Sequence, residues 1–440
     1  PYAGLSLRWT VTPVGCAKDF GLNNNLRETK YKNFAPRLGA TYALNEKTVI
    51  RTGVGLYYME DIGNAEYFDM ARITAARVDT QASATTALSW ANAAPGGGTA
   101  SVPPTLSWAA AYGHETPRTW QYLVNVSRQL SANWSMELGY LGSQSRHLYG
   151  FQTLNQAGPG PLNSISTRVP YPNFGVISYV TDQNKGHYNA LSLKVTRRYA
   201  DGFSLNTSYT FAKSIDNSSG TRTQGFDTLF PQDSRCMECE TGPSSFDVRH
   251  RWVLGVVYEL PFGKGKRVNI DNAVLDGILG GWQWSTNTTI QSGVPQTLSA
   301  GKVQSGTNSL VNDRPSYSGV GNGYVADPSP GRWYDPASFV LAPEGQFGNV
   351  GRNSITTPPL QQIDMALSKT FRLPKDHRIQ ARIEAFNVFN HPVWGAPNGN
   401  ILAGAAFPGA PANAAHQGFG VITTTAIPMR QIQLGVKYSF

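Results

Sequence analysis

The amino-acid sequence predicts an all-β fold, an antiparallel transmembrane β-barrel of which this chain holds a part, about 11–12 strands of a larger barrel. Three observations predict it. Apolar and polar residues alternate in many short segments, the segments are joined alternately by short turns and long loops, and the composition combines few charges with many aromatic rings.

The composition separates this chain from an ordinary soluble domain. Charged residues make up 15% of its 440 residues, against about 25% in typical globular proteins. Aromatic residues reach 11%, and Tyr and Trp are enriched at membrane interfaces. No run of about 20 apolar residues occurs, which excludes ordinary transmembrane helices. The net charge of +9 is dispersed, and its densest stretch, Lys264–Arg267, falls in a predicted turn, so we expect no nucleic-acid partner.

The alternation is clearest at the end of the chain. Ile432, Leu434, Val436, Tyr438 and Phe440 occupy one parity, and polar residues or glycine occupy the other. Because successive side chains of a strand point to opposite faces, this segment predicts a strand with one apolar and one polar face. The same pattern recurs upstream, in the segments 134–140, 191–196, 203–211, 252–260, 282–291 and 362–371, and a further, twelfth strand can be placed near Leu5–Val11.

The connections differ in length at the two ends of the predicted strands. Short turns are predicted at Asn45–Lys47, Ser131–Asn133, Ala200–Gly202 and Arg372–His377. A longer connection at the same end, Pro261–Gly281, is predicted to contain a helical turn at Val274–Leu279. Long loops are predicted near residues 61–115, 146–186, 215–247, 293–360 and 391–428. Short turns at one end and long loops at the other are typical of outer-membrane barrels, whose long loops are extracellular. We therefore expect residues 1–440 to be the C-terminal portion of one outer-membrane β-barrel domain.

Alternation alone does not say which face meets lipid, but the aromatic residues indicate it. They lie near strand ends on the apolar parity, where the interfacial girdles of a membrane barrel belong: Trp134, Tyr140, Phe203, Phe211, Trp252, Tyr258, Trp282 and Phe440. The last strand also resembles the C-terminal assembly signal of outer-membrane barrels. That resemblance makes Leu434, Val436, Tyr438 and Phe440 the residues that the barrel assembly machinery would recognise.

Several segments, in order along the chain, resemble the Oar-like TonB-dependent outer-membrane transporters and receptors. They are Asn33–Gly39, Thr48–Gly55, Ser208–Asp216, Phe246–Arg251, Gly281–Gln283, Gln291–Pro295, Phe347–Asn353 and Glu384–His391. The resemblance runs from about residue 33 to 440 and implies a barrel of about 22 strands with a plugged lumen. The family's N-terminal sandwich and its plug with the TonB box are absent, and no signal peptide is seen. We therefore expect a fragment whose plug domain and N-terminal domain are missing.

No catalytic, cofactor-binding or metal-binding residues emerge, so no enzyme and no cofactor are expected. Phe246–Arg251 combines carboxylate, guanidinium and imidazole groups, but it follows a long loop and predicts a hydrogen-bonded cluster at the barrel rim. The seven histidines lack ligand spacing. Cys236 and Cys239 are predicted to form a local loop disulfide. Four carboxylates are predicted on polar strand faces, where they brace the lumen: Glu137, Glu259, Asp364 and Glu384.

The sequence therefore leads to a transport function. The barrel is expected to supply the wall and the substrate-binding rim for energised uptake or export of an unidentified solute. Expected partners are outer-membrane lipid, the barrel assembly machinery, the transported ligand and, through the missing plug, the TonB complex; the bacterial outer membrane is the expected location. Two alternatives stay open: a passive porin-like channel, and a secreted β-rich adhesion or carbohydrate-binding protein.

Overall fold

The computed structural model describes residue 21 and residues 28–59, 113–172, 175–220, 227–228, 230–374 and 377–440, together with the backbone of residues 106–110. The predicted strand near Leu5–Val11, Cys16 and most of the predicted loop 61–115 lie outside the described residues.

Strands dominate the described residues. Their bounds are β1 Arg37–Asn45, β2 Thr48–Tyr58, β3 Leu106–Ala110, β4 Arg118–Gln129, β5 Trp134–Thr153, β6 Val176–Ala200, β7 Phe203–Asp216, β8 Gly242–Pro243, β9 His250–Glu259, β10 Trp282–Gln291, β11 Pro295–Gln296, β12 Ser316–Tyr317, β13 Tyr324–Ser329, β14 Arg332–Tyr334, β15 Phe339–Val340, β16 Ile355–Thr356, β17 Leu360–Arg372, β18 Arg378–Phe386 and β19 Gln431–Ser439. The helix α1 spans Ala273–Leu279, and three short 3-10 helices span Leu162–Thr167, Met237–Glu240 and Pro336–Ser338. Among the described helices, none has the length and apolar character needed to cross a membrane.

Eleven strands form one antiparallel sheet in which neighbours in sequence are neighbours in space, in the order β1-β2-β4-β5-β6-β7-β9-β10-β17-β18-β19. Two strands lie off this path: β3 pairs in parallel with β6, and β8 pairs with β7. Within the described residues, β1 and β19 are each paired on one side only. The predicted all-β antiparallel fold is confirmed, as a partial barrel wall that does not close on itself here.

The register carries the apolar parity of each strand onto one common face. Cross-strand partners in a row across seven strands are Ile50, Val126, Leu138, Leu193, Tyr209, Trp252 and Ile290. The next row, on the other side of the sheet, runs through Ser127, Glu137, Lys194, Ser208, Val253 and Thr289. We call these sides the apolar face and the polar face. The apolar side chains stay exposed, for example Leu191 at 48%, so water would meet a large apolar surface unless lipid covers it.

Three threonine hydroxyls on the apolar face are paired within the sheet. Thr52, Thr207 and Thr286 each donate from Oγ1 to a carbonyl oxygen of the neighbouring strand, at 3.1, 3.0 and 2.9 Å. An unpaired hydroxyl in hydrocarbon costs several kcal/mol, so these bonds let threonine stand on a lipid-facing surface. The polar face also has exceptions to its parity, because Leu123 and Leu141 lie on it.

The two ends of the sheet differ as predicted. The turns β1–β2, β4–β5, β6–β7 and β17–β18 are short, and the longer β9–β10 connection contains α1 where a helical turn was predicted. The predicted loop 146–186 was wrong in its bounds. Strand β5 has 20 residues and β6 has 25, whereas a barrel strand needs about ten to cross the membrane. Both strands therefore extend beyond the bilayer, and the loop between them is shortened to residues 154–175.

Candidate functional site

The long loops fold together at one end of the sheet. We call this assembly the crown and define it as the described parts of residues 154–175, 217–249, 292–359 and 387–430. Its connections lie opposite the short turns, at the end that is extracellular in outer-membrane barrels. Loops in barrels and sandwiches carry recognition functions more often than the scaffold does. The crown is therefore the candidate site.

The two longest loops of the crown share an apolar core. Ten buried residues contribute to it: Leu298, Ala300, Tyr334, Phe339, Leu341, Val350, Ile355, Ile401, Ala415 and Phe419. The ring of Phe419, from the β18–β19 loop, packs against Tyr334 and Phe339, from the β10–β17 loop, with centroids 5.6 and 5.5 Å apart. This contact joins loops that are distant in sequence into one body.

The Tyr334 hydroxyl is the polar group of this core. It donates to Gln296 Oε1 at 2.8 Å, and burial raises the pKa of Tyr334 well above its ordinary value. The phenol therefore stays neutral, and its hydrogen bond fixes the ring at the centre of the loop assembly.

We expect Phe339→Ala to destabilise the crown by about 3–5 kcal/mol, because the ring is fully buried and its removal leaves a cavity. In the membrane-embedded protein, the backbone amides of residues 292–359 should exchange hydrogen faster in Phe339→Ala than in the unmodified protein. The control is Val320→Ala in the same loop, whose side chain is exposed. Equal exchange in the two variants would contradict the existence of this core.

A buried ion-pair network ties the crown to the barrel wall. Arg352, which is 4% exposed, lies between Asp216 and Asp227 and forms an ion pair with each. Its Nε and Nη2 atoms also donate to the carbonyl oxygens of Glu240 and Asp216, both at 2.7 Å. Asp216 is the last residue of β7 and belongs to the parity of the polar face. The crown is thus attached on the lumen side of the wall.

A second buried pair joins the loop 217–249 to the loop 292–359. The guanidinium of Arg314 binds both carboxylate oxygens of Glu240, at 2.6 and 3.2 Å, and donates from Nε to the Val350 carbonyl at 2.9 Å. Bidentate pairing of this kind fixes geometry as well as charge. Glu240 ends a 3-10 helix that begins at Met237, so the position of that helix depends on Arg314.

The β5–β6 loop is held by amides. Gln156 donates to the Gln232 carbonyl and accepts from the Ser234 amide, both at 2.7 Å. Asn308 accepts from the Ala157 amide at 2.8 Å and donates to the Asn155 carbonyl at 2.8 Å. All four loops are therefore connected through hydrogen bonds or side-chain packing.

Cys236 and Cys239 are joined by a disulfide across a separation of three residues. Their Cα atoms are 5.3 Å apart, within the usual range for a disulfide. Cys236 borders a depression of about 540 Å³, whose charged lining consists of Arg146, His147, Asp182, Lys185, Arg235 and Glu238. A second depression, of about 310 Å³, lies between the loops 217–249 and 292–359. Its lining includes Thr228, Thr297, Val311 and Arg314.

The sequence-predicted rim cluster is partly assembled. Asp247 accepts from the Ser214 amide at 2.6 Å and pairs with Arg249 at 3.4 Å. His250, on the apolar face, instead contacts the Tyr209 hydroxyl through Nδ1 at 2.7 Å. Asp247 therefore locks the end of β7 against the start of β9, as a structural cluster would.

The four predicted lumen carboxylates all lie on the polar face. Glu137 accepts from Asn125 at 2.8 Å, Glu384 pairs with Arg382 at 2.5 Å and Asp364 accepts from the Asn387 amide at 2.9 Å. Glu259, at the short-turn end, pairs with Lys266 at 2.5 Å. Within the described part of the chain, no group of three or more histidine, cysteine or acidic side chains is arranged to hold a metal ion.

The buried pairs of Arg352 and Arg314 are not predicted by any pattern in the sequence. Two of the segments that resemble the Oar-like family, Ser208–Asp216 and Phe347–Asn353, contain the two ends of the Arg352–Asp216 pair. The resemblance marks these two segments, but it does not say that they touch. Arg352 and Asp216 are 136 residues apart in the chain, so no local pattern indicates their contact.

The profile of the outer membrane beta barrel domain family matches residues 8–433. No curated protein matches the chain. Among solved structures, the outer membrane transporter YddB from Escherichia coli is similar at 12% identity and a TM-score of 0.45, covering 92% of this chain and 40% of that one. The pyoverdine receptor FpvA from Pseudomonas aeruginosa is similar at 11% identity and a TM-score of 0.43, covering 92% of this chain and 36% of that one.

The FrpB iron transporter from Neisseria meningitidis is similar at 10% identity and a TM-score of 0.41, with 92% of this chain and 39% of that chain covered. The chain thus spans 36–40% of the length of these three structures. The match over residues 8–433 identifies the class of protein: the chain belongs to the outer membrane beta barrel domain family and resides in the bacterial outer membrane.

Proposed function

We propose that residues 1–440 are the C-terminal portion of the barrel of an Oar-like TonB-dependent transporter. In this proposal the sheet supplies part of the wall, and the crown supplies the surface that recognises the transported solute. The ordered series of segments that resemble that family supports the class. The plug and the N-terminal domain belong to parts of the protein outside this chain.

The observation that carries the proposal is the attachment of the crown. Arg352 joins crown residues to Asp216 on the polar face of the wall, so the loops are fixed beside the mouth of the lumen. Preorganised loops lose little conformational entropy on binding a ligand, which favours selective recognition. A passive channel selects by the width and charge of an open path and does not require a loop surface that binds the solute.

The partners of such a transporter follow from this assignment. The apolar face contacts outer-membrane lipid, and the plug contacts the TonB complex. The ligand is unidentified, and the larger depression, whose charged side chains are of both signs, fits a polar solute.

The terminal strand is proposed as the site for the barrel assembly machinery. Leu434, Val436 and Tyr438 on the apolar face of β19, and Phe440 directly after it, are 55–94% exposed. We expect Phe440→Ala to slow insertion and to lower the amount of heat-modifiable protein in the outer membrane. Lys437→Ala, on the polar face of the same strand, is the control. Equal loss in both variants would contradict recognition through the apolar face.

The proposed function is tested with the full-length protein purified from outer membranes. Binding to the purified periplasmic domain of TonB is measured by surface plasmon resonance, and single-channel conductance is measured in planar bilayers. TonB binding together with a closed pore is expected. An open, porin-like conductance without TonB binding would contradict the proposal and favour the passive channel.

A further inference from the structure

The helix α1, Ala273–Leu279, exposes an unusual amount of apolar surface for its length. Val274, Leu275, Ile278 and Leu279 are 71, 48, 59 and 47% exposed. With 3.6 residues per turn these four positions lie on one side of the helix. The helix is well formed despite its shortness, since Asn272 caps it by accepting from the amides of Val274 and Leu275.

The other side of α1 is turned towards the protein. Asp276 Oδ1 accepts the amide hydrogen of Lys264 at 2.7 Å, which ties the helix to the turn that precedes it. The apolar side of α1 therefore has a fixed direction, away from that turn, and does not rotate freely.

Side chains of the apolar face of the sheet hold the end of the helix. Trp282 donates from its indole nitrogen to the Ile278 carbonyl at 2.9 Å, and Lys369 Nζ donates to the same carbonyl at 3.1 Å. Trp282 and Lys369 are cross-strand partners on the apolar face. Because this face meets lipid, α1 lies at the outer side of the wall and not beneath the lumen.

The depth of α1 follows from its position at the short-turn end of the strands. Trp282 and Lys369 have the chemistry of interfacial anchors, an indole and an ammonium group at the edge of an apolar band. The ammonium of Lys369 lies 5.1 Å from the Trp282 ring centre and 5.3 Å from that of Phe371. In the preceding turn, Lys264 and Arg267 are exposed, at the level where lipid phosphate groups lie.

We propose that α1 is an interfacial anchor whose apolar side inserts into the phospholipid leaflet at the short-turn end of the barrel. Helices with this division of apolar and polar sides lie in the plane of the interface with the apolar side among the upper acyl chains. Lys264 and Arg267 strengthen the attachment by pairing with phosphate groups. The apolar side of α1 thus continues the lipid-facing surface of the wall around its periplasmic edge.

The test places an environment-sensitive fluorophore on α1. Ile278→Cys and Gly277→Cys are made in the full-length protein with Cys16→Ser, while the disulfide keeps Cys236 and Cys239 unlabelled. Gly277 is the control, because it lies about 100° around the helix axis from Ile278 and outside the apolar side, and a Cβ placed there meets no atom within 4 Å. Both labelled proteins are reconstituted into vesicles of phosphatidylethanolamine and phosphatidylglycerol, and heat-modifiable migration shows that each is folded.

Nitroxide-labelled phospholipid, with the nitroxide near the headgroup end of the acyl chain, serves as the quencher. The probe at residue 278 is expected to emit at shorter wavelength and to lose much more fluorescence than the probe at residue 277. Equal quenching at both positions would overturn the proposal. A blue-shifted but unquenched probe at residue 278 would also overturn it, because protein and not lipid would then cover the helix. The outcome is independent of TonB binding and of the transported ligand.

Discussion

Replacement of Arg352 by methionine is expected to release the crown from the barrel wall. The substitution keeps the length of the side chain but leaves the carboxylates of Asp216 and Asp227 buried without their countercharge. Removing one partner of a buried ion pair costs about 3–5 kcal/mol, and the carbonyl oxygens of Glu240 and Asp216 lose their donors as well. We expect the loops 217–249 and 292–359 to become protease-sensitive while the strands remain resistant.

Limited proteolysis of intact outer membranes followed by mass spectrometry measures this effect. Arg235→Met is the matched control, because Arg235 pairs with Asp233 while its side chain is 46% exposed, and exposed pairs contribute only about 0–1 kcal/mol. Arg352→Met combined with Asp216→Asn and Asp227→Asn should recover part of the lost protection, since the uncompensated charges are gone. Cleavage rates that are the same for Arg352→Met and Arg235→Met would show that the network does not hold the crown.

The second large effect is expected from a charge placed in the middle of the apolar face. Leu193 has Leu138 and Tyr209 as its cross-strand partners, so Leu193→Arg places a guanidinium group among apolar side chains that meet lipid. Such a substitution near the bilayer midplane costs about 2–4 kcal/mol in outer-membrane barrels. The free energy of unfolding from lipid vesicles in guanidinium chloride should fall by that amount.

Ser192→Arg is the control for this prediction, because Ser192 is the preceding residue of β6 and lies on the polar face. The lumen side accepts charge, as Lys194 shows two residues further on, so we expect a change near zero for Ser192→Arg. A larger cost for Ser192→Arg than for Leu193→Arg would mean that the two faces are assigned the wrong way round.

The wall could be predicted from the sequence because the constraint on it is local. Within the bilayer each strand must be apolar on one side. Apolar and polar residues therefore alternate in segments such as 191–196 and 432–440. The short turns and the helical turn at Val274–Leu279 could also be predicted, because each is determined by the residues within it. Outside the bilayer this constraint ends, because there both sides of a strand contact water or crown residues and can carry polar groups. The extensions of β5 and β6 therefore lacked the alternation, and their residues were predicted as loop.

The crown could not be predicted, because its stability rests on contacts between distant residues. The Arg314–Glu240 pair spans 74 residues, and Phe419 meets partners in another loop. None of these three residues lies in a segment with alternating apolar and polar residues. The threonines on the apolar face were missed for a related reason: Thr286 is tolerated there through its bond to the Asp364 carbonyl on the neighbouring strand, which a single-strand pattern does not contain.

The assignment of the apolar face to lipid is the central claim, and spin-label accessibility along β6 tests it most directly. Nitroxide labels at residues 191, 192, 193, 194 and 195 of the full-length protein in lipid vesicles are exposed to oxygen, which concentrates in the bilayer, and to a water-soluble nickel chelate. Labels at residues 191, 193 and 195 are expected to collide with oxygen, and labels at residues 192 and 194 with the nickel chelate. The opposite parity, or nickel accessibility at all five positions, would contradict the claim.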